Sequence, residues 1–423
     1  MERRYFVLPR DGRGLRCLQN CVLYSTRLCG PWGIALNDKN IKVAIIEPVG
    51  GHGGMDYYDF GLGGGLAEEG VDVVLHTSDE TPIPKAAAFS VHPIFRGIYG
   101  PDQVWRRAVR FIWGSLMALG AAVVERRRVV HFHFFHVGIL QAMQIMLARS
   151  LFRRVVVTAH DVESFVEGLE THGLSRRVYR WADGVIAHNR VSQNELVARL
   201  GVKPDKIAVI PHGHYLHMLQ PLPPMGEARH RLGLPGSAKV LLFFGQIKQV
   251  KGLDVLIEAM PEVLRKHPDA VLVIAGRPWK TDFSAYARRI EELGIGDRCH
   301  RDIRYIPDAE VSFYYGACDL VVLPYRRIYQ SGVVLMAMSY GKPVLVSDLP
   351  GMTEIVRDGE NGLVFRREDP KDLARRLNAV LEEKALLQAV AEKGLAYVRA
   401  IHDWREIGRR TAAVYRALLN LPA

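Results

Sequence analysis

The stretch from Leu323 to Glu354, LPYRRIYQSGVVLMAMSYGKPVLVSDLPGMTE, restricts the fold more than any other part of this chain. An apolar run, Asp319 to Leu323, stops at Pro324. A short loop then reaches Ser331-Gly332, where an apolar helical segment starts. A second apolar run, Pro343 to Ser347, ends at Asp348-Leu349-Pro350-Gly351. Two buried strands joined by a helix belong in a parallel sheet covered on both faces. Small residues opening a helix at the carboxyl end of a strand leave free backbone N–H groups and the positive end of the helix dipole in a crevice. Phosphate groups bind in such places. The segment therefore points to a phosphorylated ligand, with a nucleotide as the expectation.

The same alternation runs along most of the chain. Lys42 to Glu47 reads as a buried strand, followed by the glycine loop Pro48 to Gly54 and a helix from Tyr57 to Glu69. Further strands are expected at 71–76, 129–134, 154–159, 184–187 and 207–210. Residues 214–237 hold Pro221, Pro223, Pro224, Gly226 and Pro235 and read as a linker. The pattern restarts at Lys239 to Phe244 and continues through 270–275, Arg304-Tyr305, 320–323, 343–347 and 362–365. Strands alternating with helices give doubly wound parallel sheets. At 423 residues the chain is long enough for two domains. The expected fold class is α/β, with two Rossmann-like domains facing a cleft. Residues 1–40 form an N-terminal extension expected to be poorly ordered, 41–213 the first domain and 238–403 the second.

Composition narrows the function classes. Hydrophobic residues make up 48% and charged residues 24%, as in an ordinary globular protein. Three of the five cysteines (Cys17, Cys21, Cys29) fall in the first 29 residues, apart from Cys299 and Cys318. Such spacing supports neither a zinc site nor a disulfide framework, and a cytoplasmic location fits best. The net charge is +11. No basic motif is interleaved with aromatic residues, so nucleic acid is not an expected partner. Arginines at 106, 107, 110, 126, 127, 128, 153 and 154 flank or follow the uncharged run Phe111 to Val124. That run is shorter than the ~20 residues needed to cross a bilayer. It reads as a core helix or as one lying in an anionic membrane surface, and a solvated basic face would look the same.

Several motifs taken together resemble one family. They are Phe244-Gly245-Gln246 with Lys251-Gly252, Ala275-Gly276, Ala317-Cys318-Asp319, the segment above, and Asp358-Gly359-Glu360-Asn361-Gly362. In this order and spacing they resemble the family 4 glycosyltransferases, which have the two-domain GT-B fold. The resemblance runs from about Ile41 to the C-terminus. It implies a nucleotide-sugar held mainly by the second domain, an acceptor held mainly by the first, and a last helix over 404–423 that crosses back to the first domain. It also implies retention of anomeric configuration.

The resemblance assigns roles to particular residues. Lys251 stands where the family clamps the donor phosphate, while Gln246 occupies a place usually held by Arg. Lys248 or Arg277 would supply the missing charge. Donor contacts are further expected at Gly51, Gly53, Gly54, Tyr325, Gln330, Ser331, Gly332 and Val333. The family's paired glutamates are replaced here by Ile328 and Met336, neither of which can accept a hydrogen bond as a carboxylate does. His160, after the strand ending Val157-Thr158-Ala159, takes the place of a histidine beside the transferred sugar. His160, Asp161 and His52 are the catalytic candidates. Asp56, His131 and His133 are placed on the acceptor side, with a structural role open for the two histidines.

No cofactor and no metal is expected. The chemistry expected is metal-independent hexosyl transfer, retaining by the resemblance. If it inverts, a first-domain base such as Asp56, His52 or His160 is needed. The acceptor expected is a lipid-linked glycan of envelope or exopolysaccharide synthesis, at the inner face of the membrane. A nucleotide-sugar epimerase and a non-catalytic sugar-nucleotide-binding subunit are the competing readings.

Overall fold

The computed structural model describes residues 41–162, 172–279 and 282–422. The expectations for residues 1–40, including Cys17, Cys21 and Cys29, lie outside the described residues.

Runs of Val, Ile and Leu form two parallel sheets. The first holds β1 (Lys42–Ile46), β2 (Asp72–Ser78), β3 (Ser90–Phe95), β4 (Val129–Phe134), β5 (Arg154–Ala159), β6 (Gly184–Ala187) and β7 (Ile207–Val209), in the order β3-β2-β1-β4-β5-β6-β7. The second holds β8 (Lys239–Phe244), β9 (Ala270–Ala275), β10 (Cys299–Asp302), β11 (Leu320–Leu323), β12 (Val344–Ser347) and β13 (Leu363–Phe365), in the order β10-β9-β8-β11-β12-β13. Central strands such as VAII in β1 and VVL in β11 are buried on both faces because helices cover both sides. The strand order reverses between β1 and β4 and between β8 and β11. At such switch points the carboxyl ends of the strands open a crevice for ligands.

The first sheet carries α1 (Met55–Glu68), α2 (Val104–Val124), α3 (Ile139–Ser150), α4 (His172–Trp181) and α5 (Arg190–Ala198). The second carries α6 (Met225–Arg231), α7 (Leu253–Lys266), α8 (Ser284–Glu292), α9 (Asp308–Ala317), α10 (Gly332–Ser339), α11 (Pro350–Thr353), α12 (Pro370–Val380) and α13 (Lys384–Ile401). The last helix, α14 (Trp404–Leu418), packs on α1 of the first domain. Glycine makes that contact close. A Cβ on Gly61 would overlap the Trp404 ring, and one on Gly65 would overlap the Trp404 carbonyl. Trp404 is 7% exposed. Burying about 200 Å² of such a side chain at about 25 cal/mol per Å² contributes at most about 5 kcal/mol.

The two-domain α/β architecture matches the sequence expectation, with three differences. The edge strand β3 was not anticipated, because SVHPIF contains a proline and is half exposed. The strand expected at Arg304-Tyr305 lies instead at Cys299–Asp302, another edge strand, paired among the described residues only with β9. Finally, the apolar run at 111–124 is part of a 21-residue helix, long and apolar enough by composition to cross a membrane.

Candidate active site

The second-domain half of the site is assembled at its switch point. After β8 the chain turns through Gly245 (φ 101°), and after β11 it reaches Pro324 and Tyr325. Gly252, at φ 62°, starts α7 in a conformation other residues adopt at a cost. A Cβ there would overlap the Pro324 carbonyl, so the two loops touch. This brings Lys251 back across the mouth of the crevice. Its ammonium lies 5.3 Å from the centre of the Tyr325 ring. A Cβ added to Gly245 would be 3.3 Å from that Nζ and 3.4 Å from Val333 Cγ2. Lys251 thus sits beside the first turn of α10. Burial pushes its pKa down to about 8, so the ammonium is short of a counter-charge.

Ser331 is buried, and its Oγ accepts from Val334 N at 3.3 Å, capping its own helix. Its oxygen is therefore engaged as an acceptor, and the main-chain N–H groups of Gly332 and Val333 at the helix start are offered to a ligand. Tyr215, from the linker, stands over the same turn: a Cβ on Gly332 would be 2.5 Å from its hydroxyl. The Tyr215 ring in turn meets Tyr57 of α1, with centroids 5.5 Å apart. The α10 N-terminus therefore faces the first domain.

The first-domain half carries a chain of histidines at successive strand ends. His188 Nδ1 lies 3.1 Å from the Ile210 carbonyl, which can only accept, so Nδ1 carries the proton. His188 Nε2 then accepts from His160 Nδ1, at 3.3 Å. His160 Nε2 is left with a lone pair, buried and without a partner among the described residues. The His160 ring stacks on Phe135 at 4.7 Å and meets Tyr58 edge-on at 4.7 Å. Burial and then the neighbouring His188 hold its pKa well below the ordinary value. His160 is thus a fixed, neutral hydrogen-bond acceptor and a weak base. Next to it, burial pushes the Asp161 carboxyl up to about 7, against the opposing charge of Lys248 from the second domain. His188 was not identified from the sequence.

The glycine loop is held from beneath by Glu47, also unforeseen. Its carboxyl oxygens accept from Val49 N and Gly50 N, each at 2.7 Å. Burial, and then the nearby Asp59 charge, raise the Glu47 pKa well above the carboxylate range. Gly53 and Gly54 take positive φ, and Gly54 precedes α1 with no side-chain cap. Gly51 packs on the Glu80 carbonyl. Asp56 is buried at the start of α1, where burial raises its pKa to about 6 despite a bond from Tyr57 N. The charge of Asp308, at the start of α9, also raises it.

Four candidates are placed differently from the expectation. His131 has both ring nitrogens within 2.7 Å of Tyr415 Oη and Thr158 Oγ1 and is fully buried. His133 is buried with Nδ1 3.0 Å from Asp59. Both are core residues under α1 and α14, not acceptor contacts, because that face of β4 is covered. His52 points outward, with Nε2 2.8 Å from Glu80 and its ring 4.4 Å from Tyr99. Gln330 lines a cavity of ≈ 210 Å³ with His188, His212, Glu354, His402 and Arg410, behind the α10 N-terminus. Arg277 is exposed and Gln246 half-buried. On the far side of that cavity, Asn189 Nδ2 donates to the Tyr329 carbonyl at 2.7 Å and Arg190 N donates to Glu354 at 2.8 Å. These bonds tie the two domains together.

The comparisons with known proteins agree with this layout. Residues 52–216 match the family model "Glycosyltransferase Family 4", and residues 225–396 match "Glycosyl transferases group 1". The D-inositol 3-phosphate glycosyltransferase of Nocardioides sp. is 28% identical over 397 residues, covering 87% of this chain and 86% of the relative. That of Catenulispora acidiphila is 27% identical over 397 residues, covering 89% and 94%. Among solved structures, the sucrose-phosphate synthase of Thermosynechococcus elongatus superposes with a TM-score of 0.70 at 22% identity, over 90% of this chain and 99% of the other. Anabaena HepE in complex with UDP gives 0.71 at 18% identity, over 89% and 100%. A cleft between two doubly wound domains, an ammonium beside an open helix N-terminus, and family matches in both halves lead to one conclusion: the chain belongs to the family 4 glycosyltransferases.

Proposed function

We propose that this enzyme transfers a hexose from a UDP-sugar to a hydroxyl of a lipid-linked glycan, with retention and without a metal ion. The observation that carries the donor half is the Lys251 ammonium beside the free N–H groups of Gly332 and Val333. A leaving nucleoside diphosphate gains charge as the glycosidic bond breaks, and these donors stabilise that charge without reorganising. UDP is favoured because the HepE neighbour is seen with UDP and with UDP-glucose. His160 Nε2 accepts from a hydroxyl of the sugar, and its depressed basicity argues against deprotonation of the acceptor. The relatives' names suggest an inositol phosphate as acceptor. Against this, the first-domain rim as described holds two carboxyl groups, Asp56 and Glu80, the latter 2.8 Å from His52, and these disfavour a phosphorylated polyol. A neutral saccharide hydroxyl fits that rim.

The test is incubation with UDP-, ADP- and GDP-sugars, with and without EDTA, using a lipid-linked glycan or inositol phosphate as acceptor. The proposal expects transfer from a UDP-sugar to the glycan, unaffected by EDTA, with the anomer kept by NMR. Transfer to inositol phosphate alone would replace the acceptor assignment. Isomerised donor with no transfer would favour an epimerase and defeat the proposal.

A further inference from the structure

Helix α2 is apolar on two opposite faces, and among the described residues only one of them has a partner. Phe111, Gly114, Ser115, Ala118, Leu119 and Ala122 are buried against the first sheet and α3. Ser115 Oγ accepts from Gln144 Nε2 of α3 at 2.9 Å, and Gly114 lies against the Phe95 ring. The helix is therefore an integral part of the domain and does not leave it to cross a bilayer. The other face presents Trp105, Val109, Trp113, Leu116, Met117 and Val124 to solvent, with Trp113 64% and Val124 82% exposed. Their three- and four-residue spacing makes one continuous stripe along ~30 Å of helix.

A second feature continues this surface. The turn between α3 and β5 holds Phe152 at φ 56°, 93% exposed. A bulky aromatic residue in the left-handed region is rare, and here it is displayed to solvent. The turn before β4 carries Arg126 and Arg128, and Arg154 N bonds the Arg128 carbonyl, so the two turns are neighbours. Between residues 96 and 128 there are seven arginines and two carboxylates. Arg106, Arg126, Arg128 and Arg153 have no carboxylate partner among the described residues, and Arg106 lies over the Trp105 ring.

We propose that the outer face of α2, with the Phe152 turn, is a seat for an anionic phospholipid surface, in which the helix lies in the headgroup layer. Tryptophans and an apolar stripe edged by unpaired arginines fit the boundary between acyl chains and acidic headgroups. The place suits the chemistry. The loop leading into α2 carries Tyr99, whose ring meets His52 of the glycine loop. The N-terminal end of the stripe therefore adjoins the acceptor side of the cleft. The idea rests on the proposed lipid-linked acceptor only for what the membrane delivers, since vesicle binding needs no donor and no acceptor.

The experiment is flotation of the full chain with vesicles of phosphatidylglycerol and phosphatidylcholine in equal parts, and with phosphatidylcholine alone. Partition onto the anionic vesicles should be at least about tenfold stronger. The double variant Trp113→Ser/Met117→Ser should lose about tenfold of it. Arg126→Glu/Arg128→Glu should lose the preference for anionic lipid. All four side chains are exposed, so circular dichroism and thermal unfolding should match wild type. Brominated acyl chains should quench tryptophan fluorescence in wild type more than in Trp113→Ser. Transfer to a soluble acceptor analogue, measured in parallel, should be unchanged in both variants, which separates this proposal from the assigned reaction. Equal flotation of wild type and the Trp113→Ser/Met117→Ser variant would overturn it. So would failure of wild type to float, or a dimer in solution that this variant dissolves.

Discussion

Replacing Lys251 with methionine keeps the length of the side chain and removes its charge. The ammonium has Tyr325 on one side and Gly245 and Val333 on the other. Its pKa of about 8 is below the ordinary 10.5 because burial disfavours the charged form. A depressed lysine pKa costs stability at neutral pH and is relieved as pH rises from about 8 to 10.5. That difference corresponds to at most about 3 kcal/mol, and partial exposure of the residue reduces it. The ligand-free variant should therefore unfold at a higher temperature than wild type at pH 7, and the gap should narrow above about pH 8 and close by about pH 10.5. Donor binding should change in the opposite sense. A charge-assisted bond to phosphate contributes about 1.5–3 kcal/mol, so the dissociation constant of a UDP-sugar should rise ~10–100-fold. In wild type, bound diphosphate raises the lysine pKa. Affinity should then be flat below pH 8 and fall by up to about tenfold per unit above it. Calorimetric titration of both proteins from about pH 7 to 9.5 reads all of this, and the variant corrects for ionisation of the nucleotide. Donor affinity within twofold of wild type in the variant would refute the assignment of Lys251. So would a wild-type curve with no more slope than the variant's.

Other substitutions test the remaining parts of the site. His188→Ala frees the His160 tautomer and should lower kcat about tenfold with nucleotide affinity unchanged, whereas His160→Ala should cost more. A fall in UDP affinity equal to the fall in kcat would make His188 merely structural. Asp161→Asn should leave turnover within about tenfold if the reaction retains, and cut it by roughly 10²–10⁴ if Asp161, whose pKa is about 7, acts as a general base. In the retaining case the pH–rate profile near 7 should be the same for both proteins. Gly65→Ala places a methyl group against the Trp404 carbonyl and should destabilise the fold by about 1–3 kcal/mol, read as a lower melting temperature.

The sequence made the sheets legible where strands are buried on both sides, as in VAII of β1 and VLVIA of β9, since only a covered parallel sheet accepts such runs. Edge strands follow a weaker rule. SVHPIF and CHRD are half exposed and polar, so composition separated neither from loop. The N-terminal end of α10, proposed to hold the diphosphate, was legible as a helix start because it depends on local order: a strand, a loop, then small residues. The histidine chain was not. His160 and His188 approach each other from the ends of neighbouring strands, and His131 finds Tyr415 at a separation of 284 residues. Spacing along the chain carries no trace of such pairs. The same limit explains why the spacing of His131 and His133 left an acceptor-facing and a structural role both open, when α1 and α14 bury them.

The replacement of two family glutamates by Ile328 and Met336 is intelligible in these terms. Both side chains are partly buried against the second-domain core, alongside Tyr57 and Val333. A carboxylate at either place would accept from hydroxyls of a sugar or ribose, so its loss alters which donor is preferred. The diphosphate is held differently. Its proposed partners are two main-chain N–H groups and one ammonium, and the geometry needs only small residues at 245 and 332. Substitution at 328 or 336 leaves those partners in place. The backbone thus preserves the class of ligand while side chains remain free to change its identity. This is why the sequence supports a proposal for the phosphate end and offers none for the identity of the sugar.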